Sequence, residues 1–384
     1  MTIDEIVLHS RSLLDMKPSQ VIKKTQETYP NVRGFAVFPV YAPHEIIHAA
    51  GLMPVGLYGA GDQLEITHAD SRFQSFICSI AKSTLELFLA DEMDGFVGIA
   101  FSSICDVARN LASVVSRNTE GIYVEYLHLP QNMASEQSQT YTRSEYERFR
   151  RKLAEHVGRP ITDAAISESL KLYNEQRRLI RAIYAYRQDH PGSISAAELT
   201  CITKAGTRMM PGDYLTILKD VMEQLPQRPA HARDTVRVVV EGAFCEQPPI
   251  ELIEAIEAAG CEIRDDDMML GWRLFTGDVS EQGDPLTALA NAYLNESVYC
   301  STRHDYYHPR TEGLLARVRD SGAKAVLFTP AKFCEPALLD YVLFKRCLDD
   351  KGVPHLKLEF EEKMWTFEAP RTEVETFAES MLFD

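Results

Sequence analysis

Short apolar runs alternate along this chain with helical stretches, and this alternation constrains the fold more than any other feature. Residues 34–40 (GFAVFPV) and 95–101 (GFVGIAF) are apolar runs with the length of a buried strand. Residues 107–117, which follow the second run, have helical spacing. A strand that is apolar at nearly every position needs cover on both faces, which a parallel sheet flanked by helices provides. The pattern therefore predicts a doubly wound α/β architecture.

The alternation occurs twice, on either side of a helical region. Strands are expected at residues 34–40, 53–57, 95–101 and 122–128, and again at 236–241, 261–264, 325–329 and 355–360. Between the two sets, long charged stretches with helical spacing are separated by Gly and Pro. We predict an N-terminal α/β domain at residues 1–140, a helical connector at 141–233 and a C-terminal α/β domain at 234–384.

The charge balance and the apolar runs exclude several classes of function. The chain has 40 Lys and Arg against 56 Asp and Glu, a net charge of −16, and lacks a basic stripe that would attract nucleic acid. No apolar run approaches the ~18 residues of a membrane helix. The acidic start, MTIDE, does not resemble a signal peptide. We expect a cytoplasmic protein that binds neither nucleic acid nor membrane.

Eight cysteines are informative in such a chain, because cytoplasmic thiols stay reduced. The closest two, Cys334 and Cys347, are 13 residues apart, so the sequence has no CxxC pair. This spacing excludes a local zinc ribbon, a ferredoxin-type cysteine run and a thioredoxin motif. A metal site would have to be assembled from distant parts of the chain.

Three cysteines lie where open parallel sheets bind ligands, after a strand and before a helix. Cys105 follows the strand expected at 95–101, Cys334 follows the one at 325–329, and Cys78 lies near the start of the helix after the second strand. The positive end of a helix dipole favours thiolate, which is the form that binds metal. These three cysteines could meet across a cleft between the two domains.

Core packing is the alternative for every cysteine, since free cysteine is among the most buried residue types. We assign the remaining cysteines to the core, except one in an irregular segment whose role stays undecided. The core set is Cys201, Cys245, Cys261 and Cys347, and the undecided residue is Cys300.

The other candidates are weaker. Residues 56–61 (GLYGAG) are glycine-rich, but they match neither a dinucleotide fingerprint nor a P-loop, and no Walker sequence occurs elsewhere. His304 and His308 could donate protons or be hydrogen-bonded loop residues. Residues 265–267 (DDD) could hold a hard cation or cap a helix. The basic stretch 148–152 interleaves with glutamates and is typical of a solvated helix face.

Several spaced motifs resemble the 2-hydroxyacyl-CoA dehydratase/benzoyl-CoA reductase family, and together they cover nearly the whole chain. They are residues 38–56 (FPVYAPHEIIHAAGLMPVG), 103–106 (SICD), 241–249 (EGAFCEQPP), 265–267 (DDD) with 271–273 (GWR), and 332–335 (KFCE). Within the family, the sequence is most similar to the smaller cluster-bearing subunit of the ATP-dependent benzoyl-CoA reductases.

The resemblance implies two flavodoxin-like domains and one [4Fe-4S] cluster held by three cysteines. Carried over by motif, these ligands are Cys78, Cys105 and Cys334, with a fourth ligand that is not a cysteine. Glu45 matches a family glutamate near the cluster and is the candidate catalytic residue.

The activity implied is single-electron reduction of an aromatic acyl-CoA to a cyclic dienoyl-CoA. The implied partners are a larger homologous cluster-bearing subunit, ATPase electron-activating subunits and reduced ferredoxin as donor. A 2-hydroxyacyl-CoA dehydratase subunit is the alternative enzyme. A non-catalytic scaffold subunit, with the cysteines as core residues, is the alternative from another class.

Overall fold

The computed structural model describes residues 1–60, 64–229, 234–242, 245–268, 277–296, 303, 309–361, 364 and 366–383. Within these residues the strands form two four-stranded sheets. The first sheet contains β1 (Gly34–Phe38), β2 (Met53–Gly56), β3 (Phe96–Ser102) and β4 (Tyr123–Leu127), and the second contains β5 (Val236–Glu241), β6 (Cys261–Asp266), β7 (Ala325–Phe328) and β8 (His355–Lys357).

The described α-helices cover both sheets. They are α1 (Ile3–Leu14), α2 (Pro18–Gln26), α3 (His44–Ala49), α4 (Ser79–Leu89), α5 (Asp106–Asn118), α6 (Ser138–Val157), α7 (Asp163–Asp189), α8 (Ala196–Gly206), α9 (Pro211–Gln224), α10 (Ile250–Ala258), α11 (Pro285–Asn295), α12 (Arg310–Asp320), α13 (Glu335–Lys351) and α14 (Glu368–Phe383). None of these helices combines the length and apolar character that crossing a membrane requires.

All strand pairs in both sheets are parallel, and the two sheets have the same topology. The strand orders are β2-β1-β3-β4 and β6-β5-β7-β8, which correspond to the first four strands of a flavodoxin-like sheet. The α/β prediction with two parallel sheets is therefore confirmed. In such sheets the loops after the strands meet at one edge, which is where a ligand site is expected.

The core lies on both faces of the sheets, as the apolar strands require. On β1, Phe35 and Val37 pack into one hydrophobic cluster, whereas Ala36 and Phe38 face the other way into a second. The second cluster also contains residues of β5 such as Val238. Because one cluster takes side chains from both sheets, the two halves of the chain share a continuous core.

Helices expected in the connector pack directly on the α/β layers. Phe149 of α6 contacts Phe35 of β1 with ring centroids 5.9 Å apart, and α7 packs against α3. Further along, α8 packs against α10 of the second half. The helical region is thus integrated with both halves, and the domain boundaries at 140/141 and 233/234 stay predictions.

Apolar residues at helical spacing over residues 70–91 predict one long helix there, but the helix in the structure is shorter. A single 3-10 turn, Ala69–Ser71, comes first, and α4 begins only at Ser79. The buried carboxylate of Glu86 on α4 accepts hydrogen bonds from the backbone N–H of Ala69 (2.7 Å) and His68 (2.9 Å). Burial opposes ionisation of Glu86, but these hydrogen bonds outweigh it and lower its pKa to about 2. The ionised carboxylate thus fastens the segment that leads to Cys78.

Candidate functional site

Three helices begin at cysteines that line one cavity. Cys78 is the N-cap of α4, Cys105 of α5 and Cys334 of α13. All three line a cavity of about 1150 Å³, to which both halves of the chain contribute. The structure therefore brings together the three cysteines that the sequence singled out.

The three cysteines share a local pattern, Cys-x-x-Ala, in which the alanine occupies the third helical position. The Sγ of Cys105 accepts a hydrogen bond from the Ala108 N–H at 3.4 Å. At Cys78 and Cys334 the amides of Ala81 and Ala337 interact with the sulfur electrostatically without completing a cap hydrogen bond. Each sulfur therefore lies at the positive end of a helix, where a thiolate is stabilised.

A fourth cysteine, Cys245, also lines this cavity, and it belongs to the buried hydrophobic core, as expected. It is buried and lies in the loop after β5. Cys245 therefore combines core packing with a place in the cavity wall. A signal was present in the sequence, because Cys245 follows the end of a strand by four residues.

The protonation of the four thiols is set by burial and by their proximity. Burial raises the pKa of Cys105 to about 11, and burial together with the Glu246 carboxylate raises the pKa of Cys78 well above its usual range. The hydrogen bond from Cys245 lowers the pKa of Cys334, and the same contact raises the pKa of Cys245. A cationic metal centre would shift these equilibria towards thiolate and release protons.

The remaining described cysteines lie outside the cavity lining. Cys201 is in α8, Cys261 in β6 and Cys347 in α13, so these three agree with the core-packing expectation or with a helix surface. Cys300 lies outside the described residues.

The mouth of the cavity combines polar and apolar side chains. Asp106, His128 and Glu335 are exposed members of the lining. Phe76 and Leu339, also in the lining, are 61% and 71% exposed. Exposed apolar side chains of this size at a cavity mouth are typical of a surface that another protein covers.

Glu45 does not belong to the lining of the cysteine cavity. It lies on α3, where it is buried, lines a separate cavity of about 80 Å³ and forms an ion pair with Arg177 of α7. Burial alone would raise the pKa of Glu45, but the charge and hydrogen bond of Arg177 outweigh it and hold that pKa below its usual range.

The weaker candidates contribute little to a site. Asp265 and Asp266 are buried at the end of β6, where the Oδ1 of Asp266 accepts a hydrogen bond from the Met268 N–H at 3.0 Å. In the basic stretch, Arg148 pairs with Glu125 at 2.9 Å and with Glu145 at 3.0 Å. His304, His308 and the motif at 271–273 lie outside the described residues, as does part of the glycine-rich stretch.

In the described part of the chain, no three His, Cys, Asp or Glu side chains converge closely enough to hold a single metal ion. The cysteine cavity nevertheless holds four thiols, and thiolate sulfur is the ligand that iron–sulfur clusters use. In a cubane each iron takes its own thiolate, so the ligands spread farther apart than around one ion. The residues present therefore fit a cluster better than a mononuclear centre.

Comparison with known proteins identifies the family. The family model described as 2-hydroxyglutaryl-CoA dehydratase, D-component, matches residues 39–381. The chain belongs to this family. The match includes every described strand except β1 and all four cysteines of the cavity, so it extends over nearly all of the fold and over the whole site.

Named relatives of this D-component protein are subunits of enzymes acting on CoA thioesters, so the chain is an enzyme subunit. It is 37% identical over 383 residues to a subunit of the benzoyl-CoA reductase of Thauera aromatica, covering 99% of each chain. It is 29% identical over 364 residues to the beta subunit of lactoyl-CoA dehydratase of Anaerotignum propionicum, covering 94% of this chain and 95% of the relative. It is 28% identical over 356 residues to the beta subunit of (R)-2-hydroxyglutaryl-CoA dehydratase of Acidaminococcus fermentans, covering 91% and 92%.

Proposed function

We propose that this chain is the smaller cluster-bearing subunit of an ATP-dependent benzoyl-CoA reductase, with Cys78, Cys105 and Cys334 holding a [4Fe-4S] cluster. The observation that carries the proposal is the convergence of three cysteine N-caps on one cavity. Buried cysteines that serve only as packing have no reason to begin three separate helices at one edge.

A bound cluster would supply a one-electron carrier of low potential. The chain's own residues set the surroundings of that carrier. The Ala108 N–H donates a hydrogen bond to the Cys105 sulfur, which would favour the reduced, more negatively charged form of a bound cluster. Burial away from water would disfavour that form. The helices that begin at the three cysteines fix the positions of the sulfurs before metal binds.

We propose an aromatic acyl-CoA as the substrate of the complex, reduced by two electrons and two protons to a cyclic dienoyl-CoA. The support is the 37% identity to a benzoyl-CoA reductase subunit over nearly the whole chain. The chemistry needs a site from which water is excluded, since water would protonate reactive intermediates unselectively. Cys78, Cys245 and Cys334 are buried in the cysteine cavity, and a partner subunit packed over its exposed mouth would exclude water from it.

The proposed partners are a larger homologous cluster-bearing subunit and a separate ATPase module that receives electrons from reduced ferredoxin. The sequence has no Walker motif, so the energy of ATP has to be supplied by another chain. The exposed apolar rim at Phe76 and Leu339 suits contact with the larger subunit. We place the assembly in the cytoplasm, with residues 141–233 connecting two flavodoxin-like domains in this subunit.

A 2-hydroxyacyl-CoA dehydratase subunit is the second candidate, favoured by the relatives that are 29% and 28% identical and are named as dehydratase beta subunits. In that case the same cavity would serve the expulsion of water from a hydroxyacyl thioester. Glu45 stays a catalytic candidate in either reaction, although its ion pair with Arg177 favours a structural role.

The test is an anaerobic assay of the chain combined with its larger partner and the ATPase module, with ATP and a strong reductant. We expect ATP-dependent loss of benzoyl-CoA and none of a 2-hydroxyacyl-CoA. The opposite pattern would establish the dehydratase. ATP hydrolysis by this chain alone, free of contaminants, would contradict the assignment of energy coupling to a separate module.

A further inference from the structure

We propose that the buried carboxylate of Glu246 lowers the reduction potential of the cluster and so makes it a stronger one-electron donor. The inference rests on the proposed function, because it concerns the cluster that Cys78, Cys105 and Cys334 would hold. It leaves that ligand set unchanged. It also assigns a role to the motif at residues 241–249, which the proposed function does not use.

Glu246 lies in the loop between β5 and α10, but its side chain contacts the first half of the chain. The Oγ of Ser79 donates a hydrogen bond of 2.7 Å to the Oε1 of Glu246. Ser79 is the first residue of α4 and follows Cys78 directly. Because consecutive Cα atoms are about 3.8 Å apart, the carboxylate lies on the order of 10 Å from the Cys78 sulfur.

Two other carboxylates are neighbours of cluster ligands, but both are exposed. Asp106 follows Cys105 and Glu335 follows Cys334, each in the first turn of a helix. The helix dipole stabilises a negative charge there, which is an ordinary structural role. Glu246 is only 2% exposed, and burying a carboxylate costs free energy that packing alone does not require. Its burial therefore points to a role beyond packing.

Burial decides how strongly each carboxylate acts on the cluster. Reduction adds one electron, and with it one negative charge, which a neighbouring carboxylate repels. At about 10 Å and an effective dielectric constant of about 20, this repulsion changes the equilibrium constant for reduction roughly tenfold. In water at the same distance the change is about twofold, and salt reduces it further. The buried carboxylate should therefore dominate the two exposed ones.

Glutamine at position 246 separates the charge of this side chain from its shape. Glu246→Gln removes the negative charge but keeps an oxygen that can accept the Ser79 hydrogen bond. If the carboxylate only held the loop against α4, this variant would leave the potential unchanged. If its charge acts on the cluster, the potential rises while the iron content stays the same.

The experiment uses the full chain, reconstituted anaerobically with ferrous iron and sulfide. A redox titration followed by electron paramagnetic resonance gives the midpoint potential of the one-electron couple, and iron analysis gives the occupancy. We expect Glu246→Gln to keep the iron content of wild type. Its equilibrium constant for reduction should rise about tenfold, which is a shift of about 59 mV to higher potential.

Asp106→Asn and Glu335→Gln are the matched controls, because each removes one exposed carboxylate beside a ligand. Each should change the equilibrium constant by less than about twofold. Equal shifts in the three variants, or an unchanged potential in Glu246→Gln, would overturn the proposal and leave the cluster itself in place. A wild-type chain that binds no cluster would refute the proposed function instead.

A second pair of variants covers a folding defect in Glu246→Gln, which circular dichroism would detect. Glu246→Asp and Glu246→Asn share a shape and differ in charge, so Glu246→Asn should have the higher potential, again by about tenfold in the equilibrium constant. Equal potentials in this pair, or failure of both neutral variants to fold, would show that the carboxylate serves folding and not the potential.

Discussion

Arg177 and Glu45 form an ion pair between α7 and α3 in which the guanidinium is 14% exposed and the carboxylate 3%. Removing one partner of a buried pair leaves the other charge without compensation. We expect Arg177→Ala to lower the free energy of unfolding at pH 7 by about 3 kcal/mol, measured by denaturant titration.

The pH dependence of this loss has a definite sign. The folded state holds the pKa of Glu45 below its usual range, so the pair contributes stability above the unfolded pKa and loses it as pH falls through the folded pKa. The deficit of Arg177→Ala should therefore be largest at neutral pH and shrink in acid. Arg151→Ala, in a pair with Glu155 that is 62% and 65% exposed, should change stability by less than about 0.5 kcal/mol. Equal losses in the two variants would contradict this interpretation.

Asp265 and Asp266 form a buried acidic pair that opposes folding at high pH. Burial and the neighbouring Asp266 charge raise the pKa of Asp265 to about 7, and burial raises the pKa of Asp266 to about 6 despite the Arg187 guanidinium. The Tyr184 hydroxyl donates to Asp266 at 3.1 Å. Between about pH 4 and 7 the folded state therefore binds more protons than the unfolded state, and stability falls as pH rises.

Asp265→Asn removes the charge and keeps the oxygen that accepts the Asp266 N–H at 2.7 Å. We expect the variant to raise the free energy of unfolding at pH 8 by about 2 kcal/mol and to flatten its dependence on pH. Asp320→Asn, at a carboxylate that is 65% exposed, serves as the control and should change neither. A loss of stability in Asp265→Asn at pH 8 would show that the charge is needed.

The sequence was sufficient for the sheets because their strands are apolar at nearly every position. The apolar runs at residues 34–40 and 95–101 predict buried strands, and the structure has β1 and β3 there. Cys105 and Cys334 could be found because each immediately precedes a helix after a strand. The strand, the cysteine and the helix follow one another along the chain, so the sequence alone was enough to locate these two residues.

The remainder depends on contacts between residues distant in sequence. Cys245 lines the same cavity as Cys334 because β5 and β7 pair, and no periodicity in the sequence reveals the order of strands in a sheet. The sequence pattern predicts too early a start for α4, because apolar residues at helical spacing continue upstream through Phe76 and Ile77. In the structure these two residues line a cavity instead. Glu45 and Arg177 are 132 residues apart in the sequence, so their ion pair could not be predicted from the sequence alone.

The cysteine N-caps give a direct test of the cluster site. Cys78→Ser, Cys105→Ser and Cys334→Ser should each lose most of the iron and labile sulfide bound under anaerobic conditions while remaining folded, because the serine hydroxyl can cap a helix but lacks the soft sulfur ligand. Iron and sulfide analysis with far-ultraviolet circular dichroism measures both properties.

The matched controls are Cys201→Ser and Cys347→Ser, at cysteines that lie outside the cavity lining. Both should keep the full iron content. Full iron retention in all three N-cap variants would refute the ligand assignment, and loss in the controls would trace the effect to folding.

The rim of the cavity gives a test of the partner. Leu339 and Leu8 are equally exposed, at 71%, but only Leu339 lines the cysteine cavity. If the larger partner packs over this rim, a charge at Leu339 becomes buried without a counter-charge on association, at a cost of at least 1.4 kcal/mol or about tenfold in Kd. We expect Leu339→Glu to weaken the heterodimer at least tenfold in anaerobic sedimentation, while Leu8→Glu on α1 stays within about twofold of wild type. Equal affinities for the two variants, or a fully active homodimer of this chain, would place the interface elsewhere.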